Sequence, residues 1–91
     1  MPVKDLKEAI DKMIKETGKD LAQKISSYVT CIDEFIKVAE SHNEYLYANK
    51  EDIQKEGRFD FQSLITSPRK IKKLKIIRRR LKYMRTRAEK L

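Results

Sequence analysis

Ninety-one residues are enough for one domain with a modest core and too few for a deep enzyme cleft. Charged residues make up 40% of the chain, against two glycines, two prolines and no tryptophan, which favours helices and excludes a sheet-rich or disulfide-stapled scaffold. The net charge is +8, and it is spread unevenly. From Ser67 to Leu91 twelve Lys and Arg oppose one acid, Glu89, so this segment carries +11 and everything upstream nets −3.

In chain order, Val3, Leu6, Ile10 and Met13 form one apolar stripe among Lys, Asp and Glu, which predicts a first helix over residues 3–16. Pro2 suits its start. Thr17-Gly18-Lys19-Asp20 interrupts the pattern: Gly18 can close the helix in the left-handed conformation and Asp20 can cap the next one. A helix running on through Gly18 costs only about 1 kcal/mol relative to alanine, so a continuous helix stays open as the alternative. Residues 1–19 are therefore read as a first helix and turn.

A second stripe runs through Leu21, Ile25, Tyr28, Ile32, Phe35, Ala39, His42, Leu46, Asn49 and Ile53 at alternating spacings of four and three. It predicts a long helix over 20–56, ending near Glu56-Gly57. Ala22, Val29 and Ile36 widen the stripe in its first half, which calls for two neighbours there. We expect the last helix to cover the distal half of this helix and the first helix the proximal half. The surplus apolar face, through Ile25, Val29, Ile32, Phe35 and Ile36, is expected to form a homodimer seam. Cys31 reads as a small, partly buried side chain and His42 as a packed seam histidine. Tyr45 and Tyr47 read as rim residues, with a partner-protein contact as the alternative.

Gly57 to Thr66, GRFDFQSLIT, is expected to be a non-helical loop tucked over the hairpin end. Phe59 and Phe61 would point one way, and Leu64 and Ile65 would add cover. A short strand or an exposed hook is the alternative. Ser67-Pro68 then starts a helix, with the serine hydroxyl as cap and proline at the first position. Leu74, Ile77, Leu81, Met84, Ala88 and Leu91 are spaced 3, 4, 3, 4 and 3, a heptad-like seam. Cations flank it on both sides, so two such helices cannot zip together unaided. Tyr83 and Ile76 sit among cations off the seam, suited either to stacking on a base or to a second packing helix.

The expected fold is all-α: a short first helix, a long acidic helix (20–56), a loop (57–66) and a basic helix (67–91), packed as a coiled-coil-like antiparallel hairpin within one domain. With one cysteine and one histidine, the chain has neither a zinc-ligand spacing nor a nucleophile with its base, and two glycines cannot build a phosphate loop. No enzymatic activity and no cofactor or metal are expected. The N-terminus lacks the apolar core of a signal peptide and no apolar run reaches the length of a membrane span, so a cytoplasmic protein is expected.

The basic helix points to a polyanion. The expected phosphate-facing set is Lys72, Lys75, Arg78, Arg79, Arg80, Lys82, Arg85 and Arg87, with Tyr83 as an aromatic among them. Lysine mixed with arginine suits backbone contact, and no base-reading motif is present. The expected function is therefore non-specific binding of DNA or RNA in an accessory, architectural or regulatory role. The alternative is a scaffold, adaptor or host-modulating protein whose basic helix docks on an acidic protein. Attachment to lipid fits less well, because the apolar seam is narrow and lacks tryptophan.

Overall fold

The computed structural model describes residues 2–58 and 60–91. Four helices follow in order: α1 (Val3–Ala48), α2 (Lys50–Glu56), α3 (Phe61–Leu64) and α4 (Pro68–Glu89), and no strand occurs among the described residues. α1 and α4 pack side by side and antiparallel, making an all-α hairpin as expected. The molecule is a rod with extents of 78 × 17 × 15 Å.

The expected break at residues 17–20 does not occur: α1 runs unbroken through Gly18, and Asp20 lies inside the helix. The first helix consequently never folds back on the long one. Gly18 has a different use. A Cβ built there would lie 2.5 Å from the Ala88 carbonyl oxygen and 2.9 Å from Leu91 Cβ, so the absent side chain is what lets the end of α4 approach. We expect Gly18→Ala to lower stability by about 1 kcal/mol, because overpacking against backbone outweighs the gain of about 1 kcal/mol in helix propensity. A higher urea midpoint for this variant would refute close approach as the glycine's purpose.

The helix is instead interrupted at Asn49 (φ −109°, ψ 18°). The interruption is slight, since the Asn49 N–H still donates to the Tyr45 carbonyl (3.1 Å) and the Ile53 N–H to the Asn49 carbonyl (3.0 Å). The chain stops being helical at Gly57, whose φ of 68° closes α2 in the left-handed region where glycine meets no Cβ penalty. That end was legible in the sequence.

Along α1 the buried positions are Gly18, Ala22, Ile25, Val29, Ile36, Ala39, Asn43 and Leu46, and half-buried Ile32 completes the four-three alternation. This seam shares Ile25, Ile32, Ala39 and Leu46 with the expected stripe but is rotated by one residue at the other positions. His42 is consequently exposed, and Asn43 takes the buried place; Cys31 is exposed as well. Ile36 and Ala39 meet Ile71 from α4 in the core, with Ile32 and Leu74 against them. Ile25, Val29 and Ile36, assigned to a homodimer seam, are buried within the single chain.

The reach of α4 explains this. Its 22 residues span about 33 Å at about 1.5 Å per residue. It begins beside Asn43 and extends back as far as Gly18, so it covers the proximal stretch that a separate first helix was expected to cover. Residues 3–16 of α1 extend beyond it, with Val3, Leu6, Ile10, Met13 and Ile14 exposed.

The turn between the arms is more ordered than a loop. Asp60 caps the four-residue α3, its carboxylate accepting from the Gln62 N–H (3.3 Å) and its carbonyl from the Ser63 N–H (3.0 Å) and hydroxyl (2.6 Å). Phe61 is 4% exposed, in edge-to-face contact with Tyr47 at 5.6 Å and with the Lys50 ammonium 5.3 Å from its centroid. Leu64 and Ile65 are half-buried, so this segment does cover the hairpin end. The expected partnership of Phe59 with Phe61 lies outside the described residues. At the start of α4, the Ser67 hydroxyl makes no capping bond; the Ser67 carbonyl accepts from the Ile71 N–H at 3.1 Å.

Candidate nucleic-acid interface

α4 meets α1 through Ile71, Leu74, Arg78, Leu81, Arg85 and Ala88, all buried or half-buried and spaced 3, 4, 3, 4 and 3. The expected seam is therefore rotated. Leu74, Leu81 and Ala88 belong to it, whereas Ile77, Met84 and Leu91 are exposed and Arg78 and Arg85 take the inward places. Polar partners on α1 make this rotation possible. Arg78 donates to the Asp33 carboxylate at 2.5 Å, and Arg85 donates to the Ser26 hydroxyl at 3.3 Å. An arginine stem can cover apolar surface while its guanidinium reaches the edge of the interface.

Asp33 responds to this setting. The hydrogen bond from Arg78 holds its carboxyl below the ordinary aspartate value; partial desolvation opposes the shift, and the charges of Arg78, Lys82 and Lys37 add to it. Because the folded-state value is depressed, the pair's contribution is present above the ordinary aspartate range and is lost as pH falls through the lowered value.

The remaining expected phosphate ligands fall into two groups. On one side of α4 lie Lys72, Lys75, Arg79 and Lys82, all exposed. Of these Lys75 is engaged, 2.8 Å from the Glu40 carboxylate, with both side chains about half exposed, so water can replace this pair easily. Among the described residues Lys72, Arg79 and Lys82 have no carboxylate within ion-pair distance. Further round the outer face Arg80, Tyr83, Met84 and Arg87, with Arg79 at the near edge, line a shallow depression, with the Arg87 guanidinium 5.9 Å from the Tyr83 ring centroid. Tyr83 is 66% exposed, so its ring has no second helix against it.

Arg69, Lys70, Lys73 and Lys90 were not in the expected set and are exposed too. The seven-residue spacing of Lys73, Arg80 and Arg87 is a signal that would have grouped Lys73 with the other two. Among the described residues, all but Lys75 and Arg78 of the twelve cations in this segment lack a carboxylate partner. The acidic stretch of α1 therefore neutralises little of α4. Among these residues no helix is long and apolar enough to cross a membrane. Comparison with protein families, curated proteins and solved structures finds no match.

Proposed function

We propose that this protein binds nucleic acid through the exposed cations of α4, contacting the phosphate backbone with little dependence on sequence. The observation that carries this reading is the basic surface left after folding, a helix whose cations mostly lack carboxylate partners in the chain that folds against it. Lys72, Arg79, Lys82 and Lys90 form one row, about 27 Å from end to end at about 1.5 Å per residue. Their release of condensed counterions from phosphate supplies affinity without base recognition. Tyr83 beside Arg87 adds a flat surface on which an unpaired base can stack. Arg78 and Arg85 have structural partners and are assigned to holding the hairpin together.

Binding to labelled single- and double-stranded DNA and RNA of random sequence, across a salt series, tests this. Four neutralised phosphates give a slope of log affinity on log salt of about −3.6 for duplex and about −2.8 for single strands. Similar affinities for unrelated sequences are expected. Weak binding with a flat slope for every nucleic acid would overturn the proposal and direct the search to an acidic protein surface.

A further inference from the structure

The two broad sides of the hairpin differ in chemistry. One carries the polar cross-links: Arg78 to Asp33, Arg85 to Ser26 and Lys75 to Glu40. The other has an apolar centre. From α1 it presents Ile14, Leu21, Tyr28 and Phe35, each seven residues from the next, and from α4 it presents Ile77, Met84 and Leu91 at the same interval. Two grooves between the helices place both rows on this side: Leu21 lines one with Met84 and Leu91, and Phe35 lines another with Lys70, Lys73 and Leu74. All seven apolar side chains remain between 44% and 62% exposed. The α1 row runs about 31 Å at about 1.5 Å per residue, and the strip is two helices wide. The narrow seam that argued against lipid is one helix wide and is not the surface left open.

The borders of this strip are basic. Its outer flank on α1 is Thr17, Lys24, Cys31 and Val38, and on α4 it is Lys73, Arg80 and Arg87, while Lys70 continues the α4 row itself. All of these are exposed and none is an acid. The acids of the paired stretch lie elsewhere: Asp33 and Glu40 are on the cross-linked side, and Asp20 and Glu34 are on the back of α1, away from the seam.

We infer that this side of the hairpin lies on an anionic lipid surface, with the apolar rows among the upper acyl chains and the border cations at the headgroups. The occupant has to be apolar beneath the strip and anionic at its edges. Nucleic acid supplies the charge without an apolar surface to match the strip. A second copy of this chain brings the same cations to the same borders. A leaflet with acidic headgroups supplies both chemistries in one plane, and two straight helices lying side by side meet a plane along their length. Lysine and arginine at the borders suit that depth, because their stems cover apolar surface while their charges stay in the polar layer. Such attachment needs no spanning helix, and among the described residues no helix is long and apolar enough to be one. Lys72, Arg79 and Lys82 are on the cross-linked side of α4, clear of the leaflet.

Flotation of the full chain, without nucleic acid, on phosphatidylcholine vesicles containing about 30% phosphatidylserine tests the inference. The chain is expected to float with them and to bind phosphatidylcholine alone at least about tenfold more weakly. Changing Leu21, Phe35 and Met84 together to glutamine leaves the charge unaltered and should weaken vesicle binding at least about tenfold, by removing the inserted apolar surface. Far-ultraviolet helicity and binding to duplex DNA should not change, since all three side chains are exposed in the hairpin. Absence of flotation, equal binding to neutral vesicles, or flotation that survives the triple change would overturn the proposal. So would a mass of twice the 10.8 kDa of one chain in sedimentation equilibrium at about 100 µM without vesicles, because a second copy would then cover the face. Each of these results leaves the reading of α4 as a nucleic-acid interface standing, since that surface is tested by DNA and RNA alone.

Discussion

With Lys72, Arg79 and Lys82 changed together to glutamine, affinity for random-sequence duplex DNA is expected to fall by roughly a hundredfold or more at about 50 mM salt. The salt slope is expected to shrink by about three, one counterion for each lost charge. These three cations are exposed on one side of α4 and have no carboxylate partner among the described residues, so removing them leaves no buried acid unpaired. Helical content should therefore stay at the wild-type value, which circular dichroism would report. The neighbouring triple change of Arg78, Arg79 and Arg80 is a poorer probe. It would strip Asp33 of its partner and mix a folding effect with a binding effect. Changing Lys4, Lys7 and Lys12 to glutamine is the control, because it removes the same charge from the stretch of α1 that lies beyond α4. Equal losses from the two triple variants would mean that net charge alone governs binding and that the α4 surface is not the interface.

Asn43→Leu is expected to lower stability by about 2 kcal/mol, read as a fall in the urea midpoint without a change in slope. Asn43 is the one buried polar side chain among the described residues, and it ties two distant parts of the chain. Its amide nitrogen donates to the Thr66 carbonyl at 2.8 Å, and its carbonyl oxygen accepts from the Thr66 N–H at 2.9 Å. Leucine fills similar space but leaves both Thr66 backbone groups without partners, and an orphaned buried group costs about 1–3 kcal/mol. Thr66 is only half-buried, so water recovers part of this and the lower half of the range applies to each group. A chain of this length has a total stability of roughly 5–14 kcal/mol at 0.05–0.15 kcal/mol per residue, so the loss would be plain in a denaturation curve. The latch sits where the turn delivers the chain into α4, and releasing it should also speed amide exchange at Thr66. An unchanged midpoint would show that the pair is incidental.

Much of the architecture was legible along the chain. The four-three alternation in both arms predicted helices, and Gly57 marked the end of the acidic arm. The abrupt change of charge after Thr66 marked the basic one. What misled was local chemistry with two readings. Thr17-Gly18-Lys19-Asp20 carries the residues of a helix stop followed by a cap, yet it is a helix interior whose glycine admits Ala88 and Leu91. Nothing within those four residues separates the two uses, because the deciding atoms lie about 70 residues away in the sequence. The rotation of the seam had the same origin. Leu21, Tyr28 and Phe35 look better suited to a core than Gly18, Ala22 and Asn43, but small residues allow the helix backbones to approach closely. Asn43 additionally finds two backbone partners that no pattern in its own helix reveals.

The candidate interface divides along the same line. That α4 carries an excess of positive charge follows from composition alone, and so does the suitability of its cations for phosphate. Which cations remain free depended on the partner helix. Arg78 and Arg85 differ from Arg79, Arg80 and Arg87 only in rotation about the helix axis, and the seam's rotation turned the first two towards Asp33 and Ser26 and the others towards solvent.

The sequence by itself determined the helices, the antiparallel hairpin and the concentration of positive charge in one arm, because periodicity, terminators and charge are properties of residues near one another in the chain. Only the tertiary structure decided the absence of a break at Gly18, the register of the seam, the sorting of arginines into structural and free, and the apolar face left uncovered. Each of these depends on which surface of α4 meets α1, and that choice rests on contacts between residues far apart in sequence.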